Sequence, residues 1–65
     1  MNLIEGMNVE LNRNRELLEA YKKVGSPGIF AVNILSKLIE RGEAAMGSGD
    51  TVEMIAVYQE LKESD

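Results

Sequence analysis

The sequence predicts an all-α protein, three helices in a small antiparallel bundle, and three observations carry that expectation. Apolar residues recur at spacings of three and four in three separate runs. Two glycine- and serine-rich breakers, residues 25–28 and 47–49, divide those runs. The connections are short, which favours antiparallel neighbours. The helices are expected over about residues 3–24, 28–46 and 51–62, within a single domain spanning residues 1–65.

In the first helix, Asn2 with Glu5 three positions on has the form of an N-cap with its reciprocal acid, so the helix starts near Leu3. Asn8 is the competing start, because Gly6 weakens the first turn. Ile4, Met7, Leu11, Asn14, Leu18 and Tyr21 then form a stripe of about three heptads, widened by Leu3, Leu17 and Val24. Two readings of that stripe stay open. It is either the core face of an amphipathic helix, or a seam in which Asn14 pairs across a dimer axis and fixes register at a cost in stability. Under the second, Asn14→Leu raises stability. The outer face carries Asn12, Arg15, Glu16, Glu19, Lys22 and Lys23, with Arg13 at its edge. Arg15–Glu19 and Glu19–Lys23 have i,i+4 spacing. The mixed signs describe a solvated face, with a basic contact surface built on Arg13, Arg15, Lys22 and Lys23 as the alternative.

The first breaker supplies each part of a tight helix-to-helix turn. Gly25 suits the left-handed end of a helix, Ser26 can cap the next one, and Pro27 fits its first position, where no N–H is needed. Ile29 and Phe30 follow and project away from the main apolar arc of the second helix. Phe30, the single Phe, either plugs the corner under the first helix or belongs to an exposed contact patch.

The second helix is the most apolar element. At 100° per residue, Ile34, Ala45, Leu38, Ala31, Gly42, Leu35, Met46, Ile39 and Val32 fall on one arc about 160° wide, enough for two neighbours. Gly42 lies near its middle. A mid-helix glycine costs about 1 kcal/mol relative to alanine, so it is expected to mark close helix packing, a kink or early cap being the other reading. In the third helix, Asp50 and Glu53 have capping-box spacing. Its expected apolar face is Val52, Met54, Ile55, Val57, Tyr58 and Leu61, and residues after Glu63 are expected to fray.

Composition narrows the function. The 65 residues contain no Cys and no His, which removes disulfide staples, thiolate or imidazole metal sites and Cys or His catalysis. A chain this short buries only about 60% of its unfolded surface. Oligomerisation is therefore the expected source of added stability. The acids are explained by capping or face outward, and the tyrosines sit at core spacing, so neither an enzyme activity nor a cofactor is expected. No run approaches the ~18 apolar residues of a membrane span, and the N-terminus lacks a signal pattern, so a soluble intracellular protein is expected. The net charge is −4, and residues 26–65 carry three basic against seven acidic side chains. That balance disfavours a general phosphate-binding surface.

One resemblance adds to this. Arg15-Glu16-Leu17-Leu18-x-x-Tyr21, Gly25-Ser26-Pro27-Gly28-x-Phe30, Ile39-x-Arg41-Gly42-Glu43-x-Ala45, Ser48-Gly49-Asp50 and Tyr58-x-Glu60-Leu61-Lys62 together resemble small accessory proteins of temperate tailed bacteriophages and prophages of enteric bacteria. The resemblance implies a small phage protein in the bacterial host cytoplasm that influences phage development or host physiology, and it brings no catalytic residues. The combined expectation is a homo-oligomer, dimer or higher, that acts by binding a host or phage protein. Ile4, Met7, Leu11, Asn14, Leu18, Tyr21, Ile29 and Phe30 are its candidate interface, and no membrane or metal is involved. The alternative is a nucleic-acid-binding regulator with a helix-turn-helix-like corner at residues 25–28.

Overall fold

The computed structural model describes residues 2–64 and contains three helices: α1 Leu3–Val24, α2 Ile29–Ser48 and α3 Thr51–Glu63. A single 3-10 turn, Ser26–Gly28, joins α1 to α2. The all-α expectation holds, with boundaries within two residues of those expected.

The helix ends explain the boundaries. Asn2 rather than Asn8 caps α1, its Oδ1 accepting the Glu5 N–H at 2.9 Å. Gly6 is tolerated in the first turns because the Tyr58 ring of α3 lies against it, where a Cβ would sit 3.1 Å from Tyr58 Cε1. Gly25 ends α1 with φ +84° and its N–H on the Lys22 carbonyl. Ser26 does not cap α2, contrary to expectation. It is the first residue of the 3-10 turn, Pro27 follows it there, and α2 starts one residue late behind Gly28 with no side-chain cap. Gly49, at φ +73°, ends α2 in the left-handed conformation, and its N–H reaches the Ala45 carbonyl at 3.0 Å. Asp50 caps α3 through the Glu53 N–H at 3.1 Å. The Glu53 carboxylate serves α2 instead, bonding Arg41 at 2.9 Å.

Contacts between helices fix the topology. Leu11 packs on Gly42 and the Tyr21 carbonyl lies over Gly28, so α1 and α2 run antiparallel along their lengths. Val57 also reaches Gly42, while Tyr58 meets Gly6 and Leu61 meets Asn14, so α3 runs back parallel to α1. The core is one cluster of Met7 and Leu11, Leu38, Ile39 and Ala45, and Met54, Val57 and Leu61. Leu3, Leu18, Met46 and Tyr58 line its margin. Each such large side chain contributes about 1.5–3 kcal/mol when fully buried. Gly42 is at the centre of this packing, as expected. It receives the Leu11 side chain rather than a second backbone, a Cβ there falling 2.8 Å from Leu11 Cδ2.

Asn14 decides between the two readings of the α1 stripe: the stripe is the core face of an amphipathic helix, and the dimer-axis reading falls. Asn14 is completely buried inside one chain, so it cannot pair across a dimer axis in this fold. Its Nδ2 donates to the carbonyls of Glu10 at 2.8 Å and Leu61 at 3.2 Å. Its Oδ1 accepts the Ser64 hydroxyl. The Leu61 carbonyl also accepts Arg13 Nη2, and it lies 2.8 Å from Ser64 Oγ, whose one proton it shares with Asn14 Oδ1. These donors satisfy a carbonyl left open by the end of α3. Ser64, outside the helix, is thereby tied to α1, while Asp65 lies outside the described residues.

Two outcomes follow for stability. Asn14→Leu removes the bonds at a fully buried site, so unfolding stability should fall by about 1–3 kcal/mol, the opposite sign to the dimer-axis reading; urea denaturation measures it. The Cβ of Gly28→Ala would lie 2.5 Å from the Tyr21 carbonyl oxygen, which is backbone and cannot yield without moving α1. Gly42→Ala presses only on the movable end of Leu11 and gains about 1 kcal/mol of helix propensity. Thermal melting should therefore show Gly28→Ala as the more damaging, by roughly 4–8 °C per kcal/mol in a domain of this size.

Candidate interaction surface

Helix lengths create the surface. The 22, 20 and 13 residues of α1, α2 and α3 correspond to about 33, 30 and 20 Å at 1.5 Å per residue. The Asn14–Leu61 bond sets where α3 stops, level with the middle of α1. Beyond that point residues 15–24 of α1 and 29–37 of α2 have no third helix over them.

The stripes that face α3 continue onto this uncovered half. On α1, Leu17, Tyr21 and Val24 follow Asn14 at helical spacings of three, four and three. On α2, Ile34 and Phe30 precede Leu38 at spacings of four. The residues that would have packed against a longer α3 thus form an apolar ledge. Phe30 is 74% exposed, Val24 59% and Ile34 50%, while Leu17 and Tyr21 are half-buried. Leu35, buried between the two helices, lies behind them.

The expected interface residues divide into three groups. Met7, Leu11 and Asn14 are consumed in the core of the single chain and offer no surface, because α3 packs on the stripe that a second copy would have used. Leu18 lies half-buried at the core margin, and Tyr21 and Phe30 are on the ledge. Ile4 and Ile29 are exposed but elsewhere: Ile4 is in the first turn of α1 at the far end of the bundle, and Ile29 is about 100° around α2 from Phe30. Phe30 therefore does not plug the corner. Ile34 was expected on the buried arc and is not, since α3 ends short of it. Val52 and Ile55 of α3 also fall outside the core, at the edge of their helix face. Val24, Leu17 and Ile34 complete the ledge although the sequence reading did not mark them as interface. The readable signal was the mismatch between a 12-residue third helix and its longer neighbours.

Charge is polarised along the molecule. Residues 15–37 hold four basic and two acidic side chains, and residues 38–64 two basic and six acidic. Arg41 is clamped between Glu53 and Glu60 at 2.9 Å each, joining α2 to α3. Its hydrogen bond to Glu53, then that to Glu60, holds the guanidinium pKa above its ordinary value. Arg15 bridges α1 to Glu43 of α2 at 2.7 Å, and Lys22 pairs with Glu19. These replace the expected Arg15–Glu19 and Glu19–Lys23 pairs. Lys62 stands 5.4 Å from the centre of the Tyr58 ring.

The ledge offers exposed apolar side chains along one face of the hairpin, an arrangement suited to covering by another apolar surface. Among the described residues there is no group of three or more His, Cys, Asp or Glu placed to hold a metal ion. No helix among them is long and apolar enough to cross a membrane. The side-by-side course of α1 and α2 differs from the open crossing of a helix-turn-helix. In comparisons with known proteins, the chain matches no protein family, no curated protein and no solved structure.

Proposed function

We propose that this protein is a small helical interaction module that works by covering its apolar ledge with another protein surface. One observation carries the reading: Phe30, the most exposed side chain of the ledge, is 74% exposed in line with Ile34, on a face that α3 covers elsewhere and leaves open here. Contiguous apolar exposure rimmed by polar residues is the usual mark of a protein contact. The phage resemblance supports a host or phage protein as the target, met in the bacterial cytoplasm, with phage development or host physiology as the process affected. The reading assigns no reaction and no cofactor. The nucleic-acid alternative draws on the excess of basic side chains over residues 15–37. Duplex binding at low salt that falls steeply as salt rises would favour it.

A photo-crosslinking residue placed at position 30 tests the interaction reading, with position 52 as control, since Val52 is 80% exposed but remote from the ledge. Adducts to protein should form from position 30 and not from position 52. Equal yields would refute a specific surface. Phe30→Ser should leave melting within about 0.5 kcal/mol of the parent, as for an exposed position, while a crosslinker at the neighbouring position 34 loses its adducts.

A further inference from the structure

We propose that the protein covering the ledge is a second copy of this chain, docked about a two-fold axis so that the uncovered halves of two α1–α2 hairpins stack face to face. This inference rests on the interaction reading above and commits it to an occupant.

Shape gives the first argument. α3 ends level with Asn14, so about 15 Å of the hairpin forms a step below it. Rotating a second copy by two-fold symmetry puts its own uncovered hairpin in that step, in line with α3. Each α1–α2 corner then abuts the C-terminal end of α3 in the partner. Such a contact is self-complementary and closed, using the same patch on both copies, and its centre is a short antiparallel four-helix bundle.

Charge gives the second. In this arrangement the basic corner half, with Lys23 in the last turn of α1, meets the C-terminal turn of α3 of the other copy, where Glu63 and the negative end of the helix dipole lie. At each end of the contact the acidic half of one copy, six acids against two bases, is thus brought end-on to the corner of the other, while the stacked centre is the apolar ledge itself. The covered area is modest, so the dimer belongs to the weak, concentration-dependent class.

Sedimentation equilibrium of the full chain from about 10 μM to about 1 mM, a range that spans weak association, decides the matter. The parent should show a reversible dimer. Phe30→Ser should raise its dissociation constant at least about tenfold, the size expected for a central aromatic anchor, and Val52→Ser should not change it. Lys23→Glu and Glu63→Lys alone should each weaken association by placing like charges together, and an equimolar mixture of the two should restore it, since every contact is then opposite in sign. All these positions are exposed, and circular dichroism checks that the variants remain helical. A chain that stays monomeric throughout, a dimer indifferent to Phe30→Ser, or a mixture no tighter than its components overturns the proposal. Monomers that still crosslink to a foreign protein from position 30 overturn the second copy but keep the interaction reading; absence of both removes both.

Discussion

The Leu61 carbonyl is the point on which the rest of the structure depends. It lies in the last turn of α3, where an α-helix has no partner of its own for its carbonyls. Asn14, Arg13 and Ser64 all bring donors to it. The apolar core holds α3 against the hairpin, but apolar contact is non-directional and tolerates sliding. A buried amide bonded to one backbone carbonyl does not. Asn14 therefore sets the register of α3 along α1, and with it the level at which the third helix ends.

The ion pairs reinforce that register without dominating stability. Arg41 holds two carboxylates that lie two turns apart on one face of α3, Glu53 and Glu60, and so orients α3 about its axis relative to α2. All three side chains are about half exposed, so solvent screens both pairs. The energetic weight lies with the apolar core, which gathers at Gly42, where Leu11 of α1 and Val57 of α3 both reach α2. Packing there brings three helices onto one spot, which is why the core clusters at one end of the hairpin.

Helix identities and caps were legible in the sequence because they depend on local chemistry. Asn2, Gly25, Gly49 and Asp50 each act through a backbone group within four residues. Gly42 was legible because an interior glycine demands a compensating contact. The roles of Asn14 and Phe30 were not, for the same reason in both. A polar residue on an apolar stripe looks alike whether it meets its own image in a dimer or a carbonyl nearly fifty residues away. An apolar residue at helical spacing looks alike whether the facing helix reaches it or stops one turn short. Both depend on the register between α1 and α3, and no periodicity within one helix encodes that. Ser26 is not the cap for a nearer reason: it opens the 3-10 turn Ser26–Gly28, and α2 starts only after that turn, behind Gly28.

The ledge is a consequence of this register. Had α3 continued past Glu63 as a helix, it would have covered Phe30 and Ile34 and given a longer core from one chain. Instead Ser64 turns away in extended conformation and is held by Asn14, so the stop is built in by specific bonds. The bonded asparagine gives more than stability, because an apolar residue there would leave α3 free to slide or extend along the same stripe. What it secures is a defined boundary between covered and uncovered halves. The stripe itself does not change character at that boundary: Leu17, Tyr21 and Val24 continue it on α1, as Ile34 and Phe30 do on α2. One continuous apolar face is thus divided by Asn14 into a part reserved for the chain's own third helix and a part left for another surface, and the division ties the stability of the bundle to the existence of its docking site.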